Sequence, residues 1–131
     1  MSDPSTILSA FNDHFIEFMN DIVRVFPNDV EISTAKNSVQ MIRRANPKMI
    51  IKAWKSYIVD QYSEEINSGD ISFFIDNDYS NGIAGKLDNN QIMKTIERLR
   101  APVKNMEPED QQKTMKYIQN LTKLTSLYFT M

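Results

Sequence analysis

The chain is predicted to be all-α, a compact bundle of five to six helices, on three observations. Apolar residues recur at steps of three and four along most of the chain, the spacing that gathers them on one side of a helix. Glycine occurs only three times and proline five times in 131 residues, which leaves few tight turns and disfavours many short strands. Residues suited to starting a helix, namely Asp, Asn and Pro, precede the apolar runs.

In the first element Ile7, Leu8, Phe11, Phe15, Phe18, Ile22, Val25 and Phe26 form one stripe, so a helix is expected from about residue 4 to 26. Pro4 suits its first turn, and Pro27 stops it. A second helix carries Ile32, Ala35, Val39 and Ile42, with Asn28 or Asp29 as its cap, and runs to about Ala45. Asn46 and Pro47 then read as a cap followed by proline at the first helical position. The third helix, roughly 48–67, holds Ile50, Ile51, Trp54, Tyr57, Ile58, Tyr62 and Ile66, and "NSG" supplies its stop. Trp54 and Ile58 are expected in the core, with Lys48, Lys52 and Lys55 outward.

The stretch "DISFFIDNDY" has strand propensity but no partner strand, so a short helix or turn that packs Phe73 and Phe74 is expected. Asp88 with Gln91 forms a capping-box pattern ahead of Ile92, Ile96 and Leu99, on a helix predicted to end before Pro102. The last helix begins near Pro108, places Glu109 and Asp110 in its first turn, and carries Met115, Ile118, Leu121, Leu124, Leu127 and Tyr128. No long repeat or low-complexity linker divides the chain, so residues 1–131 read as a single helical domain.

Composition narrows the chemistry. Without cysteine there is no thiolate nucleophile, no Cys-based zinc site and no sign of an oxidising compartment. The N-terminal stretch lacks a basic region followed by an apolar run, and no stretch approaches a membrane span in length. The single histidine, His14, lies near Asp13 and Glu17 with no second histidine to build a metal set, and reads as a bundle-rim residue. Glu64 and Glu65 fall on an exposed helix end, where nothing shifts a carboxylate toward acid–base work. "NLT" at Asn120 lies on a helix and reads as a chance match to a glycosylation acceptor. No catalytic residues, metal or cofactor are assigned, and the expectation is a non-enzymatic protein.

Charge placement is more informative. Between Ile32 and Val59 there is no acidic residue, yet Lys36, Arg43, Arg44, Lys48, Lys52 and Lys55 all fall there. Asp60, Glu64, Glu65, Asp70, Asp76, Asp78 and Asp88 follow, against Lys86 alone, so a neutral-looking net charge of −2 hides a polarised chain. The six cations are the candidate partner-binding residues. They suit an acidic protein, the acidic segment of another copy, or phosphates. The alternative is that basic and acidic faces neutralise each other within the bundle as screened surface pairs. Nucleic acid is the weaker of the partner readings, because Trp54, Tyr57 and Tyr62 lie in the apolar stripe rather than on a stacking platform.

The blocks "FIEFMNDIVRVFPND" and "RRANPKMIIKAWKSYIVDQYSEEINSGDISFFIDNDY", with the tail "KYIQNLTKLTSLY", resemble a family of short helical proteins of large nucleocytoplasmic DNA viruses of algae and protists. The resemblance covers nearly the whole chain and carries no catalytic signature. It implies a virus-encoded protein in the virion or host cytoplasm: a minor capsid or other virion component that packs against other viral structural proteins or copies of itself. The alternative function is a nucleic-acid-associated accessory protein that uses the basic segment 36–55.

"IDNDYSNGI" begins like a calcium loop, with Asp76, Asp78 and Ser80 at alternate positions. Asn81 stands where glycine is needed, with Gly82 one place late, and Leu87 replaces the bidentate acid. A solvated Asx-type turn is therefore expected in place of a metal site. Titration calorimetry at sub-millimolar calcium should show no stoichiometric heat, and a saturable one-to-one signal would contradict this.

Overall fold

The computed structural model describes residues 3–76 and 91–130. Every regular element among them is helical: α1 (Pro4–Val25), α2 (Val30–Ala45), α3 (Met49–Trp54), a π-helical turn (Lys55–Val59), α4 (Asp60–Ser68), α5 (Ser72–Asp76), α6 (Gln91–Lys104) and α7 (Pro108–Phe129). From α3 through α4 the backbone runs on as one rod, through the π-helical turn and a kink at the non-helical Tyr62, and with that rod counted once the described residues form six helices.

Caps set the starts. Asp3 Oδ1 accepts from the Thr6 amide at 2.8 Å, with Pro4 beginning α1. Asp29, not Asn28, caps α2 by accepting from the amides of Glu31 at 2.9 Å and Ile32 at 3.2 Å. Gly69 closes α4 in the left-handed conformation, φ 79°, while the Asp70 amide reaches back to the Glu65 carbonyl at 2.9 Å. Asp70 then accepts from the Ser72 amide, starting the short α5 that buries Phe73 and Phe74.

Two boundaries and one buried face depart from expectation. The third helix starts at Met49, two residues after Pro47, at a corner where Asn46 Oδ1 accepts from the Lys48 amide at 3.3 Å and Asn12 Nδ2 on α1 donates to the Pro47 carbonyl at 3.0 Å. Helix α6 does not stop before Pro102 but runs through it to Lys104. The missing proline N–H deprives only the Arg98 carbonyl of its helical donor, and α6 still closes through the Asn105 amide onto Ala101 and Pro102. On α7 the buried face takes in Thr114, Thr122 and Thr125, while Leu127 is 53% exposed. Each threonine hydroxyl bonds the carbonyl four residues back, so it enters the core without an unsatisfied donor. The Asp88–Gln91 capping box and the calcium-like loop after Asp76 lie outside the described residues.

Helix α1 packs on α7 and α2, and α2 on α6. α1 and α7 are antiparallel: Arg24 near the end of one meets Asp110 at the start of the other, and His14 meets Tyr117. The rod is the central element, touching α1, α2, α6 and α7. Trp54 is its pivot, 1% exposed, edge-on to Phe15 of α1 at 5.8 Å, with its indole N–H on Thr122 Oγ1 of α7 at 3.3 Å. Trp54→Ala should therefore cost roughly 3–5 kcal/mol, the range for large aromatic deletions in cores. Urea unfolding should show a lower midpoint at unchanged slope, and a wild-type midpoint would remove Trp54 from this role.

Candidate functional site

The six cations read from the sequence do not form one surface. Lys36 and Arg43 are half-buried on α2. A terminal nitrogen of Arg43 lies 2.8 Å from Asp13 Oδ1 on α1, and Arg43 and Arg44, with Gln40 and Ile16, line an open cavity of about 400 Å³. Both arginines occupy the last turn of α2, where the helix dipole favours cations. Arg44 and Lys48 stand exposed on either side of the Asn46–Pro47 corner, and Lys52 is exposed one turn further along the rod. None of these three has an acidic partner among the described residues.

Lys55 belongs elsewhere. Its ammonium sits 3.1 Å from both oxygens of Asp60 and 5.5 Å from the centre of the Phe129 ring. The π-helical turn begins at this residue, and the Asp60 amide donates to the Lys55 carbonyl five residues back. The expected row of three outward lysines is thus two outward lysines, with a third committed to neighbours in its own chain.

A second polar constellation lies between α1 and α7 and was only partly legible in the sequence. His14, Glu17 and Asp21, three and four residues apart on α1, face Lys113, Tyr117 and Asn120 on α7 across a cleft of about 400 Å³. His14 Nδ1 is 3.3 Å from Glu17 Oε2, within reach to donate to that carboxylate in the tautomer protonated at Nδ1. Arg24 holds Asp21 through its ε-nitrogen at 3.1 Å and a terminal nitrogen at 3.0 Å. His14 Nε2 and Asp21 Oδ2 are buried without a hydrogen-bond partner among the described residues. The His14 and Phe18 rings both lie against Tyr117, at 4.9 and 5.6 Å.

This cleft is poorly equipped for nucleophilic chemistry. Among the described residues its only hydroxyl is the Tyr117 phenol, which burial and then the Asp21 and Glu17 carboxylates hold above its ordinary value of 10.0, with Arg24 opposing them. Among the described residues no group of three His, Cys, Asp or Glu side chains could hold a metal ion. No helix of the described residues is long and apolar enough to cross a membrane. Comparison with protein-family models, with characterised proteins and with solved structures returned no match.

The sequence spacing of His14 and Glu17 hints at half of this cleft. Tyr117 is a hundred residues away and carries no local signal of its partner. Its raised pKa has a sign that can be tested. The unfolded chain loses its phenolic proton near 10, before the fold does, so this part of the stability is complete below that pH and is lost as pH rises through the folded value. Urea unfolding between neutral pH and strong alkali should show a decline that Tyr117→Phe makes shallower. An identical decline in the variant would mean that Tyr117 contributes nothing to it.

Proposed function

We propose that this is a non-enzymatic interaction module that presents the basic corner of α2 and α3 to an acidic protein surface. The observation that carries the reading is the exposure of Arg44, Lys48 and Lys52, unpaired among the described residues, around a corner that Asn12 pins to α1. A pinned backbone presents its charges with little ordering left to do on binding, and such patches set encounter rate and orientation more than affinity.

A protein partner suits this surface better than nucleic acid. Trp54 and Tyr57 are buried and are not offered to bases. A phosphate backbone following the rod past Lys52 would next meet the exposed carboxylates Asp60 and Glu64. A virion as the setting of this module, with minor capsid or other structural proteins as its partners, rests on the family resemblance alone.

The test uses two labelled probes, poly-L-glutamate and duplex DNA, titrated with wild type and with the Arg44→Glu/Lys48→Glu/Lys52→Glu variant. Three screened surface contacts at about 0.5 kcal/mol each amount to roughly a tenfold loss of poly-glutamate affinity in the variant. Melting should stay near wild type, since all three side chains are exposed. Tight, steeply salt-dependent DNA binding that the variant loses would move the assignment to nucleic acid. Equal binding of poly-glutamate by both proteins would overturn the reading.

A further inference from the structure

The rod carries one exposed row that the proposed corner does not exhaust. Lys48, Lys52, Ser56, Asp60 and Glu64 follow one another at every fourth residue, and all five are exposed. In an uninterrupted α-helix such a row drifts by about 40° at each step. Here the wider π-helical turn at Lys55–Val59 interrupts that drift between Lys52 and Asp60, so Lys48 to Asp60 share one face, and Glu64 follows beyond the kink at the non-helical Tyr62, φ −134°. Two lysines stand at one end, two acids at the other, and a small serine between them.

We propose that this row is a self-complementary face that pairs two copies of the chain, rod against rod and antiparallel, about a two-fold axis at Ser56. The proposal rests on the reading of Lys48 and Lys52 as a protein-binding surface and names the acidic partner as the second copy's own rod. An axis through Ser56 sets Lys52 of one copy opposite Asp60 of the other, and Lys48 opposite Glu64, each pair made twice. Parallel rods would oppose like charges at every charged position of the row, so the row also selects the orientation. Ser56 at the centre lets the backbones approach. Asp60 already accepts from Lys55 of its own chain, and an exposed carboxylate has lone pairs left for a second donor.

Such a face is held mainly by exposed ion pairs, so the pairing is weak and salt-sensitive. Sedimentation equilibrium should show a concentration-dependent dimer at low salt and monomer at about 1 M salt, where the Debye length is about 3 Å. Lys48→Glu/Lys52→Glu and Asp60→Lys/Glu64→Lys should each be monomeric alone. Mixed together they should form a one-to-one heterodimer, and all four changes in one chain should restore the homodimer. Ser56→Cys, in a chain with no cysteine of its own, should cross-link to a disulfide dimer under mild oxidation at low salt and lose that cross-link at high salt.

Asp60→Lys sets a second ammonium beside Lys55. If that chain fails to fold, Lys48→Glu and Glu64→Lys, separately monomeric and dimeric when mixed, test the outer pair in its place. A monomer at every concentration in low salt, or a dimer that tolerates either reversal and does not cross-link through Ser56→Cys, overturns the pairing. A monomeric wild type that still binds poly-glutamate through its lysines leaves the interaction reading standing and removes only the self-pairing. A salt-sensitive dimer that cross-links at Ser56→Cys, and binds poly-glutamate equally with and without the lysines, supports the pairing and removes the general reading.

Discussion

The contact of Trp54 with Phe15 and Thr122 is the interaction on which the rest of the bundle depends. It joins the rod to both long helices at once, and it does so with one large side chain whose single polar atom is satisfied. An indole N–H buried without an acceptor would cost about 1–3 kcal/mol. Thr122 removes that cost while directing its own hydroxyl to the Ile118 carbonyl. Around this point Phe11, Phe15, Phe18 and Tyr117 form a continuous run of ring contacts from the middle of α1 to α7.

The π-helical turn that follows Trp54 solves a problem of phase. In a straight α-helix Ile66 would lie about 160° around the axis from Ile50, facing away from the core that Ile50 enters. One extra residue in the hydrogen-bond ladder rotates the rest of the rod back, and the non-helical Tyr62, φ −134°, completes the adjustment. Ile66 is buried as a result. The same turn draws Lys55 out of the lysine row and onto Asp60, so one backbone irregularity shapes both the core and the charged face.

Charge on this protein is arranged at two scales. Along the chain a basic stretch precedes an acidic one, which would ordinarily be read as two opposed patches. In space some of these charges are consumed locally, by Asp13 on Arg43 and by Asp60 on Lys55, while Arg44, Lys48 and Lys52 stay exposed around one corner and Lys36 is half-buried on α2. The buried polar atoms of His14 and Asp21 stand apart from this surface, between α1 and α7.

The sequence by itself determined the helical class, the order of the helices and most of the core. A stripe such as Phe11, Phe15, Phe18 and Ile22 repeats within a few residues and needs no distant partner to be recognised. It also determined where the cations cluster along the chain. Tertiary structure decided what depends on residues far apart: the corner before the third helix, where Asn12 meets the Pro47 carbonyl, the burial of Thr122 beneath Trp54, and the pairing of His14 with Tyr117. It decided too which cations are free to meet a partner. An ion pair such as Arg43 with Asp13 is a distance between two helices, and periodicity within either helix carries no information about that distance.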